Sequence, residues 1–214
     1  MSLVKLPLIS AVGAMAVVLV ASGCGGSARS GDATANTTAR ATAPSCAYRA
    51  GWQRLANRIK ADVYCPGWLP DPLTSEIGGR WNNINSVDPD RSYLIGFVWQ
   101  ETQAGINGVG GELHVNLRAY PGRTTIPTCL TGLKNTEKTP CFAEPKGIIV
   151  GNGIRARLYT VNQDADQWHM LLAWRHAGSL YTLSEHLAPP LDYRKLLAYL
   201  KHELASLVLV SPTA

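Results

Sequence analysis

Four arginines and one histidine stand at positions that project from predicted strands: Arg118, Arg155, Arg157, Arg175 and His114. A guanidinium donates two hydrogen bonds at once to a carboxylate, phosphate or sulfate, so a row of them on one sheet face would recognise anions. The alternative is a solvated face that the arginine stems cover. Strand register decides between the two, because a shift of one residue moves every side chain to the other face. We take these five as candidate ligand-binding residues.

Residue types of hydrolytic chemistry occur in the run Ser184, Glu185 and His186. Adjacent residues do not point at one another, so a triad built here would need distant partners. The chain has no Gly-x-Ser-x-Gly nucleophile turn. His202-Glu203 is not followed by a second histidine one turn later, and we interpret the two as the exposed face of the last helix. The sequence therefore predicts no catalytic residue and no enzyme.

Metal and phosphate motifs are also incomplete. The glycines before Glu112 lead into a predicted strand, whereas a phosphate loop leads into a helix. Asn162, Asp164 and Asp166 have the spacing that begins a calcium loop, but its sixth and twelfth positions hold a glutamine and an alanine. The cysteines lack zinc-ligand spacing. We expect no metal site and no cofactor.

The N-terminal sequence is typical of an export signal. A short charged stretch, Met1–Lys5, precedes an apolar run, Leu6–Val20, that is shorter than the roughly 20 residues needed to span a bilayer. Ala21, Ser22 and Gly23 are small, and Cys24 follows directly. The stretch Ala21-Ser22-Gly23-Cys24 resembles the lipobox of bacterial lipoproteins, although leucine is commoner where Ala21 stands.

This resemblance implies that residues 1–23 are a signal peptide that is removed, and that Cys24 receives a diacylglyceryl thioether and becomes the new N-terminus. Two or three acyl chains, palmitate among them, then hold the protein on the outer face of the cell membrane, since one chain binds only marginally. The alternative is an uncleaved N-terminal anchor. We expect a membrane contact through the lipid.

Cysteine counting agrees with this assignment. Lipidation of Cys24 leaves four cysteines in an exported chain, an even set suited to disulfides: Cys46, Cys65, Cys129 and Cys141. Four cysteines allow three connectivities, which the sequence alone does not separate. We favour Cys46–Cys65 and Cys129–Cys141, because both close local loops.

Composition divides the chain into three parts. Residues 24–45, after the signal peptide, form a tether of Gly, Ser, Thr, Ala and Arg without large apolar residues. Residues 46–214 suffice for one domain with its own core. The net charge of +5 is spread along the chain without basic blocks, so we expect no nucleic-acid partner. Contact of these positive charges with anionic lipid headgroups is the interaction we favour.

The apolar spacing predicts two helices with strands between them. Asn152-Gly153 indicates a tight hairpin, and a second turn is expected at Ala177-Gly178. The predicted helices cover residues 48–62 and 191–207, and the predicted strands cover 92–101, 112–120, 166–176 and 179–183 and flank the hairpin at 152–153. We predict an α+β fold: a curved antiparallel sheet with the N-terminal and C-terminal helices packed on one face.

The second half, Lys146–Leu209, combines a Gly-led strand, the run LLAWRHAGSLYTLSEH and a Leu-rich helix. It resembles small extracytoplasmic domains of unknown function on bacterial lipoproteins and sigma-regulator proteins, and also sheets that carry lipid or lipoprotein ligands. Together these features favour a membrane-anchored, non-catalytic binding module for an envelope ligand or protein partner. A hydrolase acting on envelope material and a purely structural role are the alternatives.

Overall fold

A computed structural model describes residues 43–100, 111–131, 136–161 and 168–213. These residues belong to one compact unit, Thr42–Ala214. The predicted signal peptide, Cys24 and the tether up to residue 42 lie outside the described residues. Within the described ranges, no helix combines the length and the hydropathy needed to cross a bilayer.

Two helices and eleven strands make up the described chain. In chain order they are α1 (Arg49–Ile59), β1 (Val63–Pro66), β2 (Asn82–Val87), β3 (Tyr93–Gln100), β4 (Glu112–Tyr120), β5 (Thr128–Thr131), β6 (Glu137–Pro140), β7 (Gly147–Gly151), β8 (Ile154–Val161), β9 (His169–His176), β10 (Ser179–His186), α2 (Tyr193–Ser206) and β11 (Leu207–Val210). The fold is a mostly antiparallel sheet with two helices, which confirms the predicted α+β class at that level.

Seven strands form the main sheet in the order β2-β3-β4-β10-β9-β8-β7, and every neighbouring pair is antiparallel. Two small ribbons stand apart from it, β1 with β11 and β5 with β6. The strand predicted at 92–101 is β3, and it lies second from one edge of the sheet.

The two turns that the sequence predicts set the register of half the sheet. Asn152 and Gly153 connect β7 to β8 with φ of 45° and 75°, and Ala177 and Gly178 connect β9 to β10 with the same values. Both central residues of a type I′ turn require positive φ, which is why Asn-Gly favours this hairpin. The two hairpins are confirmed.

One face of the main sheet shares an apolar cluster with residues of both helices. Trp52 and Ile59 of α1 and Leu200 of α2 are fully buried in it together with Phe97 and Leu183 of the sheet. Asp192 begins α2, because its Oδ1 accepts a hydrogen bond of 2.7 Å from the Lys195 backbone N–H. We call this side of the sheet the inner face.

The opposite side, which we call the outer face, carries a smaller apolar cluster. Phe142 and Ile126, from the segment around the β5–β6 ribbon, pack there against Tyr159, Leu171 and Leu180. Two disulfides join Cys46 to Cys65 and Cys129 to Cys141, which confirms the connectivity that the sequence favours.

Candidate functional site

Polar side chains line the outer face at the junction of β4, β10 and β9. In β4, residues with even numbers point outward, and His114 and Asn116 are two of them. On one side of β10, Ser184 pairs with Asn116 of β4, and the neighbouring pair Glu185–Val115 places His186 beside His114. On the other side of β10, His186 pairs with His169 of β9. Asn116 is fully buried, so solvent does not reach this part of the outer face of β4.

Three histidines meet at this junction, one from each strand. One ligand atom of each of His114, His169 and His186 lies within 4.8 Å of the others. The ring centroid of His169 is 5.1 Å from that of His186 and 5.2 Å from that of His114. The centroids of His114 and His186 are 6.1 Å apart. His169 is buried, and the other two are half-buried. We call these three residues the histidine cluster.

Oxygen atoms from neighbouring residues hold two of the three rings. The Ser184 hydroxyl lies 3.0 Å from Nδ1 of His169. Glu112 Oε1 lies 3.1 Å from Nδ1 of His186 and 3.7 Å from Nδ1 of His114. Because the Glu112 carboxylate accepts, Nδ1 of His186 donates and its Nε2 keeps a lone pair; the Ser184 hydroxyl fits either tautomer of His169.

Burial is the main influence on the pKa of His169. It lowers the pKa of His169 to about 3, and the neighbouring His114, His186 and Arg118 lower it further in the same direction. The His169 imidazole is therefore neutral at physiological pH. A neutral imidazole is the form that coordinates metal ions or exchanges protons.

The sequence analysis missed the histidine cluster because its members are distant in the chain: His114 precedes His169 by 55 positions and His186 by 72. One signal was present. The two-residue turn at Ala177-Gly178 fixes a register in which His169 stands opposite His186. Adding the strand that contains His114 required knowing that β4 pairs with β10, and no local pattern shows this.

The five predicted ligand-binding residues all point to the outer face, but they do not form one site. Arg155, Arg157 and Arg175 line one cleft of about 210 Å³ together with apolar and aromatic side chains. The register separates Arg157 from Arg118 by Ala173 and Thr182. The five residues grouped from the sequence therefore belong to more than one site.

We call the cleft lined by the three arginines the arginine cleft. Its walls include Phe142 and Tyr159 of the outer cluster, and Arg175 donates a hydrogen bond of 2.8 Å from Nε to the Thr124 carbonyl. All three arginines of the cleft, Arg155, Arg157 and Arg175, are exposed residues.

Arg118 lines a different and larger cleft, of about 530 Å³. Tyr120 and the Cys129–Cys141 disulfide border the same space. His114, the fifth predicted residue, belongs to the histidine cluster instead.

Behind the histidine cluster, the inner face holds two buried carboxyl groups. Glu185 of β10 and Glu203 of α2 are both fully buried. Burial raises the pKa of both carboxyls, and repulsion from Glu203 raises that of Glu185 further while Lys195 opposes the rise. The sequence interpretation of Glu203 as part of an exposed helix face is therefore wrong.

Comparisons of the chain with protein-family models, curated proteins and solved structures give no match.

Proposed function

We propose that this chain is a membrane-anchored extracytoplasmic lipoprotein whose domain is a non-catalytic binding module for an anionic envelope ligand. The observation that carries the proposal is the arginine cleft. Three arginines line one recess, together with apolar and aromatic residues such as Phe142 and Tyr159. Guanidiniums bind carboxylate, phosphate or sulfate in pairs of hydrogen bonds, while the walls accept an apolar portion of the same ligand.

The size of the arginine cleft limits what it holds. Its volume of about 210 Å³ is below the roughly 300–1,000 Å³ of pockets that enclose a whole drug-sized ligand. The cleft therefore suits the anionic end of a larger molecule rather than all of it. An amphiphile presented at the membrane surface, where the lipid anchor would hold the domain, has this form.

The arrangement of the layers supports the same proposal. In our proposal the sheet is curved and both helices pack on its inner face, so that ligands approach the outer face. Residues of α1 and α2 share the inner apolar cluster. The described residues place only strands and the segment around the β5–β6 ribbon against the outer cluster.

The hydrolase alternative has one feature in its favour and one against it. Ser184 and His169 are in hydrogen-bond contact at 3.0 Å, as a nucleophile and its base would be. However, Ser184 is fully buried and His169 is 3% exposed, so the hydroxyl is out of a substrate's reach. This burial favours a positioning role for the serine.

Native mass spectrometry of the protein released from its own membranes in mild detergent tests the proposal. We expect a mature mass that begins at Cys24 and includes diacylglyceryl, with an anionic adduct beyond it. A mass that retains residues 1–23 would contradict the anchor.

Two arginine variants test where the ligand binds. Arg157→Gln should lose the adduct, whereas Arg58→Gln should keep it, because Arg58 is an exposed residue of α1 and its substitution removes the same charge. An adduct absent from the wild-type protein, or retained by Arg157→Gln, would contradict the arginine cleft as its site.

A further inference from the structure

We propose that His114, His169 and His186 bind one divalent transition-metal ion of the zinc class, with Glu112 and Ser184 as positioning residues. This inference goes beyond the proposed function and does not depend on it, since none of the arginines of the cleft takes part.

The positions of the rings fit a shared ion. Imidazoles on one tetrahedral zinc, at Zn–N of about 2.0–2.1 Å, have ring centres about 5 Å apart. The observed separations of 5.1, 5.2 and 6.1 Å are close to this value. Their ligand atoms lie within 4.8 Å of one another, and zinc holds nitrogens about 3.4 Å apart, so we infer that the rings draw closer when the ion binds.

The oxygen partners follow the pattern of metal-bound histidines. Such residues usually hold a carboxylate or another oxygen at the ring nitrogen that faces away from the metal, which fixes the tautomer and strengthens the ligand. Glu112 Oε1 at Nδ1 of His186 and the Ser184 hydroxyl at Nδ1 of His169 provide this support. We therefore assign Nε2 of these two residues as the coordinating atoms.

The position in the sheet makes the cluster rigid. The three histidines lie side by side on adjacent strands, β4, β10 and β9, whose backbones are paired along most of their length. Sites on paired strands hold ligand geometry more precisely than sites on loops.

The ligand set selects the class of ion. Imidazole suits zinc, copper, nickel and iron, whereas calcium and magnesium prefer carboxylate, carbonyl and water oxygens. Three histidines leave one tetrahedral position for water or a further ligand, and half-buried His114 and His186 give solvent a route to it.

Calorimetric titration of the chelator-treated full chain in mild detergent tests the site directly. With ZnCl2 we expect one ion per chain at micromolar affinity or tighter, and with MgCl2 or CaCl2 we expect no comparable heat. Titration with CoCl2 should produce the intense visible absorption of a tetrahedral nitrogen-ligated ion.

Variants decide whether the histidine cluster is the site. His186→Ala should weaken zinc binding at least about 100-fold, and Glu112→Gln, which keeps all three imidazoles, should weaken it about 10–100-fold. His202→Ala is the matched control, because His202 is exposed on α2 and outside the cluster. Circular dichroism establishes that each variant is folded.

Two results would overturn the inference. The first is a wild-type chain that takes up no zinc in the titration. The second is zinc binding by Glu112→Gln and His186→Ala that equals binding by His202→Ala, which would mean that the ion binds elsewhere. If His186→Ala does not fold, the Glu112→Gln comparison alone carries the decision.

Discussion

Replacing Glu203 by glutamine should make the domain more stable at neutral and alkaline pH. Glu203 lies on α2 and is fully buried, and burial raises the pKa of its carboxyl from the ordinary 4.5 to about 8. The folded protein therefore keeps this proton between pH 4.5 and pH 8, whereas the unfolded chain releases it. Because the unfolded state binds fewer protons in this window, the free energy of unfolding falls as the pH rises.

The size of the effect follows from the two pKa values. Each unit of difference corresponds to about 1.4 kcal/mol, so a rise from 4.5 to about 8 costs several kcal/mol at pH 8 and above. Glutamine has nearly the shape of the protonated carboxyl and does not titrate, so the variant avoids this loss. It also removes the repulsion that raises the pKa of Glu185, which acts in the same direction.

Urea unfolding at constant ionic strength, followed by tryptophan fluorescence from pH 4 to pH 8, measures the effect. We expect the stability of Glu203→Gln minus that of the wild type to grow steadily with pH above 4.5. Glu137→Gln is the matched control, since Glu137 is exposed in β6 and its substitution should leave the pH profile unchanged. Parallel profiles for Glu203→Gln and the wild type would refute the reasoning.

Two further predictions concern stability. Cys46→Ser should lower the free energy of unfolding by about 3 kcal/mol, because the disulfide to Cys65 closes a loop with a sequence separation of 19. Denaturant unfolding measures this loss, and equal unfolding midpoints with and without the disulfide would contradict the prediction. Asp192→Ala should lower the free energy of unfolding by about 1 kcal/mol, because it removes the side-chain acceptor for the Lys195 N–H at the start of α2. Thermal unfolding measures this loss against Asp71→Ala, a control at an exposed residue, and equal losses of stability in the two variants would show that the cap contributes nothing.

The sequence predicts well those elements whose signal is local. Asn152-Gly153 and Ala177-Gly178 fix two hairpins through backbone conformation alone, and the spacing of Trp52, Leu55 and Ile59 defines the first helix. The favoured disulfides also follow from short separations. Each of these depends on residues that are near one another in the chain.

Elements whose signal is distant were missed. The polar sequence of β2 is held as a strand by pairing with β3, and β11, which the sequence analysis did not predict, is held by pairing with β1. The histidine cluster needs three strands in their spatial order. Tertiary pairing decides each of these, and a single sequence does not contain it in local form.

The prediction that Glu203 is exposed was wrong for a different reason. It stands seven residues after Leu196 and three after Leu200, so helical periodicity places it on the buried face. The usual exposure of glutamate led to the opposite interpretation. Here the period of the helix was the better guide than the type of the residue.

The disulfide between Cys46 and Cys65 determines how the domain bears a mechanical load. Cys46 precedes α1 by three residues, and Cys65 lies within β1. A pull on the chain from its N-terminal side therefore crosses from Cys46 to β1 through the sulfur atoms and bypasses α1. The force then acts on the four paired positions between β1 and β11. The strand pair therefore carries the load, and α1 carries none of it.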